Sequence, residues 1–259
     1  MTRPVGVTAY DVADHYDRAY FDDLVARYRT RNRFARQRIA NVFRLLPDVA
    51  GKTLVDIGCG MGTFTVEAAR HGAHGIGVDP AVEAVRAAKR VAAAEGVAAT
   101  EGAATPEGAA GAERVGAKHV ARADFIQADA ALLPLPDASC DIVLAADMTE
   151  HLDDDTLGRI LAEAHRALRP GGSIVIYTPE QSHLFERLKD SGVMTQDPSH
   201  IGIRSAAELS TALRGAGFDV RPVRYLPSHL PIWNMLERGL GRWVPLLRRR
   251  IGLVATRGA

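Results

Sequence analysis

The stretch TLVDIGCGMGTF, residues 53–64, decides how the chain is read. Leu54, Val55 and Ile57 form a short apolar run that stops at three alternating glycines, Gly58, Gly60 and Gly62, and a helix-like segment follows from Thr63 to His71. The pattern predicts a strand, a tight turn and a helix start. Glycine is needed where backbone takes positive φ or comes close to a ligand, and the first turn of a helix carries unpaired N–H groups and a partial positive charge. Such a loop suits a nucleoside-bearing ligand with an anionic group. A βα turn that binds nothing has the same glycines, so the rest of the chain must decide.

Working outward, HGIGV at 74–78 reads as a second strand ending in Asp79-Pro80, ahead of an alanine-rich helix from Ala81 to about Glu95. An acid at that tip, roughly 20 residues past a glycine loop, is placed to accept both ribose hydroxyls of an adenosine. Its plainer role is to cap the next helix. Residues 121–126 give a third strand, and Asp129 with the Ala130 backbone beyond it can meet the amino group and a ring nitrogen of adenine, beside an apolar loop of Leu132, Leu133 and Leu135. CDIVLA at 140–145 has the continuous apolar character of a strand buried on both faces, and its tip carries Asp147, Met148, Glu150 and His151. A helix capped at Asp153 to Asp155 has the stripe Leu157, Ile160, Leu161, Ala164 and Leu168, and Pro170-Gly171-Gly172 stops it. A fifth strand at 173–178, a helix opened by the capping box of Ser205 and Glu208, a sixth strand at 218–225, a helix at 232–240 and a last strand at 250–256 complete the alternation.

Residues 1–50 precede this core and read as a helical lid or cap, with aromatics including Tyr16 and Tyr20 and a helix at 31–46 ended by Pro47. They either close over a bound ligand or anchor a hairpin on the sheet. Residues 51–259 are the main domain. Gly/Ala/Glu-rich residues 96–119 are expected to be a flexible insertion at the amino edge, away from the site, and residues 180–204 a cover holding His183 and His200. With 259 residues, 47% of them hydrophobic, one large α/β domain is the simplest organisation. A net charge of +1 argues against bulk nucleic-acid binding. Two cysteines without paired spacing fit a reducing compartment, and no apolar run reaches the ~20 residues of a membrane span, so a cytoplasmic protein without stable membrane insertion is expected. WVPLLRRRIGLVATR near the C-terminus reads either as a basic membrane-surface patch or as strand packing with solvated arginines.

VDIGCGMG, GVDP, QADA with LPLPDASCDIV, and LRPGG with IVIYTP, in that order, resemble the class I S-adenosylmethionine-dependent methyltransferases. Within them the chain is most similar to the methyltransferase type 11 or ubiquinone/menaquinone-methyltransferase-like small-molecule group, over roughly residues 50–225. The resemblance implies a Rossmann-like α/β fold: a seven-stranded, mostly parallel sheet of order 3-2-1-4-5-7-6, the last strand antiparallel, with helices on both faces. It implies S-adenosyl-L-methionine as cofactor. Gly58, Gly60 and the backbone near Asp56 would hold the methionine part, Asp79 the ribose, and Asp129 with Ala130 the adenine; Asp147 would lie where the methionine end and acceptor meet, and Gly62, Pro80 and Met148 would be further cofactor contacts. Cys59 and Met61 depart from the family's small residues and read as packing. The Asn/Asp-Pro-Pro-Tyr type motif of exocyclic-amine DNA methyltransferases is missing after strand four, which again disfavours nucleic acid.

His151 and His200 are the candidate bases for a hydroxyl proton, and Tyr16, Tyr20 and His183 the candidate acceptor contacts. Asp147-x-x-Glu150-His151 resembles the Glu-x-x-Glu-His of ubiquinone-pathway O-methyltransferases, which implies a divalent metal such as magnesium on Asp147, Glu150 and His151. Loop and helix-cap roles account for the same residues. The expected function is methyl transfer to a small-molecule acceptor, a hydroxyl of a natural-product or quinone-like compound. N- or C-methylation of a small metabolite, a nicotinamide-dependent oxidoreductase and a non-enzymatic binding module are the alternatives. The Gly-x-Gly-x-Gly spacing and the missing Tyr-x-x-x-Lys pair weigh against the oxidoreductase.

Overall fold

The structure, a computed structural model, describes residues 17–30, 32–98, 121–190, 195, 199–228, 231–240 and 243–258. Its centre is a sheet of eight strands: β1 (Thr53–Ile57), β2 (His74–Asp79), β3 (Arg122–Gln127), β4 (Cys140–Ala146), β5 (Leu168–Pro179), β6 (Phe218–Val220), β7 (Arg224–Leu226) and β8 (Arg250–Arg257). The order is β3-β2-β1-β4-β5-β8-β6, with β7 also paired to β8. The first five strands are mutually parallel, and β8 runs antiparallel to β5, β6 and β7. This is the expected fold, with local corrections in β5 and after α7. Residues 218–225 make two short strands instead of one, because Pro222 has no N–H to give to the ladder.

The helices are α1 (Arg18–Arg29), α2 (Arg33–Phe43), α3 (Thr63–Arg70), α4 (Val82–Ala94), α5 (Asp154–Ala167), α6 (Leu184–Asp190), α7 (Ala206–Gly215) and α8 (Pro231–Leu240). Alternate strand residues serve opposite faces. Val55, Val143, Ile174 and Leu253 pack with Leu157, Ile160 and Leu161 of α5 and Leu209 and Leu213 of α7. Leu54, Leu144, Val175 and Val254 pack on the other face with Val42 of α2 and Phe64 of α3. That two-sided burial explains the continuous apolar runs of β1 and β4. The predicted cap residue Asp153 accepts from the Thr156 N–H at 2.7 Å, and Ser205 with Glu208 forms the predicted capping box. Leu168, expected on the α5 stripe, instead opens β5 opposite Cys140, and the register shifts before Ile142 where Gly171 takes φ +77°.

In the 1–50 segment, Phe21 and Tyr28 of α1 are buried against α3 and α4, and the Tyr28 hydroxyl donates to Glu67 Oε1 at 2.9 Å. Apart from residues 96–98, the expected insertion lies outside the described residues, as does Tyr16.

Gly62 shows why the loop needs glycine. It sits at φ +74°, and a Cβ there would come within 2.7 Å of Phe125 Cε1 and 2.9 Å of Ala88 Cβ. Left-handed backbone costs a side-chain-bearing residue ~1–2 kcal/mol, and overpacking adds ~1–3 kcal/mol. Gly62→Ala is expected to lower stability by about 2–5 kcal/mol, read as a fall in the urea midpoint; an unchanged midpoint would show that the loop repacks freely.

Candidate active site

The carboxyl edge of the parallel strands carries a row of acids whose order follows the strand order. Asp129 lies just past β3, Asp79 ends β2, Asp56 is in β1, and Asp147 lies just past β4. Gly58, Gly60 and Gly62 of the β1–α3 loop all take positive φ. A Cβ on Gly58 would meet Met148 Cγ at 2.6 Å, so this glycine lets the loop close on the tip of β4. The Gly60 N–H donates to Asp79 Oδ2 and the Ala81 N–H to Asp79 Oδ1, both at 2.9 Å. Asp79 therefore fixes the loop and starts α4, and each oxygen keeps a lone pair for another donor. Burial raises its carboxyl, and those backbone donors offset part of the rise. Asp129 is half-buried and accepts the Ala131 N–H at 2.8 Å, Ala130 is buried, and Pro80 is exposed.

Asp56 is buried, and its Oδ2 accepts from Thr65 Oγ1 at 2.8 Å. Burial pushes its carboxyl up to about 7, against the pull of that hydrogen bond and of the Arg38 charge. Arg38, from α2, stacks 4.7 Å over the Phe64 ring and pairs with Asp147. Arg250, at the start of β8, pairs with the other oxygen of Asp147. Burial alone would raise the Asp147 carboxyl, but the charges of Arg250 and Arg38 overcome it and hold it below the usual range. Sequence reasoning missed Arg38 and Arg250. Nothing in the sequence distinguishes either from the other cations, and only the packing of α2 and β8 brings them to β4.

Beyond Asp147 a single 3-10 turn, Thr149–His151, presents Glu150 and His151. Glu150 is buried and accepts from Thr178 Oγ1 at 3.0 Å. His151 Nδ1 lies 3.0 Å from the Ser199 carbonyl. A carbonyl only accepts, so Nδ1 donates to it, and Nε2 is the ring nitrogen on the other side. The His200 ring stands edge-on to His151, centroids 4.8 Å apart. Arg204, 6% exposed, locks this arrangement: it donates to the carbonyls of Thr149, Leu152 and Gly202 and pairs with Asp154 at 2.7 Å. The structure therefore brings the two predicted histidines together from segments far apart in sequence.

The metal set implied by resemblance is not assembled. Both oxygens of Asp147 are engaged by arginines, and the trio whose donor atoms lie within 4.8 Å of one another is Glu150, His151 and His200. Among the described residues these three are a group that could hold an ion, and the Arg250 charge acts on the same Glu150. His183 is fully buried at the end of β5, its pKa lowered to about 4 by burial and the nearby Arg249, and it offers no surface to an acceptor. Tyr20 is exposed on α1. Cys59 and Cys140 are buried, and burial pushes the Cys140 thiol up to about 12, which leaves both as packing residues.

A family described as "Methyltransferase domain" matches residues 26–223. The chain belongs to this methyltransferase family. It is 38% identical over 99 residues to a probable S-adenosylmethionine-dependent methyltransferase of Mycolicibacterium smegmatis, covering 38% of this chain and 36% of that one. It is 32% identical over 124 residues to a ubiquinone biosynthesis O-methyltransferase of a Methylobacterium species, covering 48% of this chain and 39% of that one. The matches thus span little more than a third of these relatives' length. Among solved structures, a possible histamine N-methyltransferase of Thermotoga maritima superposes with TM-score 0.61 at 18% identity over 94% of this chain and 98% of that one. The [4+2]-cyclase SpnF superposes with TM-score 0.65 at 18% identity, over 99% and 98%. At such identities these likenesses speak for the fold. S-adenosyl-L-methionine is the cofactor that membership of this methyltransferase family implies, and the row of acids suits its parts.

Proposed function

We propose that this protein transfers the methyl group of S-adenosyl-L-methionine to a hydroxyl of a small-molecule acceptor. The order of groups along the carboxyl edge carries the reading. Asp129 suits the adenine amino group, Asp79 the ribose, Asp56 the methionine ammonium, and Arg38 the methionine carboxylate, with His151 and His200 next in line beyond Asp147. When bound, the cofactor supplies a methyl group on a cationic sulfur that leaves as a neutral thioether. The chain's part is to align the acceptor oxygen with that methyl and to take its proton at His151 Nε2, as the acceptor's O–C bond forms and the S–C bond breaks. General-base help of this kind supplies roughly 10²–10⁴ in rate.

The assay is tritiated methyl transfer to panels of phenols, aliphatic alcohols, amines and carbon acids. Labelled product from a hydroxyl acceptor, a loss in kcat of roughly 10²–10³ in His151→Ala, and full rate after chelator treatment are expected. Transfer to amines or carbon acids alone would replace the hydroxyl reading with N- or C-methylation. Nicotinamide-cofactor binding without S-adenosylmethionine binding would end the methyl-transfer reading.

Asp56 gives that reading a pH signature. The folded, ligand-free protein holds this proton up to about pH 7, whereas the unfolded chain releases it near 3.8. The favourable contribution is present below 3.8 and is lost as pH rises towards 7. An ammonium group beside Asp56 requires the carboxylate. Affinity for S-adenosylhomocysteine is therefore expected to fall about tenfold per pH unit below pH 7, with proton release on binding. Calorimetry in buffers of different ionisation heat checks it; an Asp56→Asn variant with the same slope would assign the titration elsewhere.

A further inference from the structure

We infer that Arg204 is a positioning residue for methyl transfer: it seams the 199–204 segment to the turn after β4 and so sets His151 and His200 side by side. This rests on the methyltransferase reading and adds to it the residue that holds the candidate bases in place. The Arg204 side chain is buried, and all five of its N–H donors are used. Nη1 donates to the Thr149 carbonyl at 2.9 Å and to the Gly202 carbonyl at 2.8 Å. Nη2 donates to the Leu152 carbonyl at 2.8 Å and to Asp154 Oδ1 at 2.7 Å, and Nε donates to the same carboxylate oxygen at 3.0 Å. Thr149 and Leu152 bracket Glu150 and His151, and Gly202 follows closely on His200. One guanidinium therefore holds both histidine-bearing segments at once.

The backbone closes the same seam. The Gly202 N–H donates to the Glu150 carbonyl at 2.8 Å, and His151 Nδ1 donates to the Ser199 carbonyl at 3.0 Å. A Cβ at Gly202 would overlap the Leu152 carbonyl oxygen, so glycine is what lets the two segments approach this closely. On its other side the clamp is fastened to the core. Arg204 directly precedes Ser205, the cap of α7, whose Leu209 and Leu213 are buried. None of these bonds reaches the β1–α3 loop or Asp79, so the placing of the two histidines is set apart from the row of acids. Lysine is no substitute here. It offers three donors from one nitrogen, whereas the acceptors around Arg204 are arranged about a planar fork.

Arg204→Lys and Gly202→Ala break the seam from its two sides, and the full chain carrying either one is compared with the parent by titration with S-adenosylhomocysteine, by hydrogen exchange and by the tritiated methyl assay. Affinity for S-adenosylhomocysteine is expected to stay within about twofold, while amides at 199–204 exchange about tenfold faster or more. A misplacement of ~1 Å can cost ~10² in rate, so kcat is expected to fall roughly 10–10²-fold with the KM for S-adenosylmethionine unchanged. In a His151→Ala background, adding Arg204→Lys is expected to cost less than about twofold more, because a residue acting through His151 then has nothing left to position. The comparison is made on whichever acceptor of the panel the parent methylates. Parent-like kcat in both single variants would overturn the proposal, as would an undiminished loss in the His151→Ala background. So would a fall in S-adenosylhomocysteine affinity as large as the fall in kcat, since the seam would then brace the whole fold. A parent that methylates no member of the panel fails the reaction reading by itself; the seam is then judged by exchange, and parent-like rates at 199–204 in both variants overturn it.

Discussion

Asp79→Ala is expected to weaken S-adenosylhomocysteine binding by roughly 10²–10⁴-fold. A carboxylate accepting two ribose hydroxyls makes two charge-assisted hydrogen bonds of ~1.5–3 kcal/mol each, and tenfold in affinity is ~1.4 kcal/mol. The same carboxylate accepts the Gly60 and Ala81 N–H groups, each at 2.9 Å. On the proposed assignment alanine removes the ribose partner and also frees the β1–α3 loop. Asp79→Asn separates the two roles: its one carbonyl oxygen can still hold Gly60 or receive one hydroxyl, and a loss of about tenfold is expected. Titration calorimetry of the three proteins decides the matter. Parent-like affinity in the alanine variant would remove the ribose from Asp79 and leave that residue as a loop brace.

How much of this was legible in the sequence depends on the range of the interactions. The β1–α3 loop, the β2 acid and the α5 and α7 caps are local patterns, fixed by backbone conformation within a few residues, and they stand where the sequence placed them. The partners of Asp147 come from α2 and β8, more than 100 residues away on either side. With 32 basic residues in the chain, no spacing rule singles out Arg38 or Arg250. Glu150 and His151 were visible as neighbours, but the group completing their cluster is His200, brought in by the Arg204 clamp, and not Asp147, which the arginines had already engaged. The division of 218–225 was within reach of the sequence through Pro222.

Asp147→Ala is expected to cost about 3–5 kcal/mol of stability, the usual consequence of removing one member of a buried ion-pair cluster. The carboxylate is the shared partner of Arg38 and Arg250, whose side chains are only 26% and 19% exposed. Without it two guanidinium groups face each other beside Arg249. A second cost is separable. Asp147 has φ +53°, and its N–H donates to the Tyr177 carbonyl at 2.7 Å, so the chain turns through left-handed backbone as it leaves β4. Asn adopts that conformation more readily than Ala, and Gly freely. Asp147→Gly is therefore expected to be ~1–2 kcal/mol less damaging than Asp147→Ala, and Asp147→Asn, which also keeps an acceptor, the mildest of the three. Should all three lose equally, the charge alone matters and the backbone is unstrained. Activity should fall in all of them if Arg38 receives the methionine carboxylate as proposed, since this acid holds Arg38. The pH dependence runs opposite to that of Asp56. A carboxyl held below its usual range stabilises above the unfolded pKa, and the contribution is lost as pH falls through the folded value. Thermal unfolding followed from pH 3 to 8 should thus show two limbs, an acid one flattened by Asp147→Asn and one approaching neutrality flattened by Asp56→Asn. A single limb that neither variant changes would remove both acids from the electrostatics of the site.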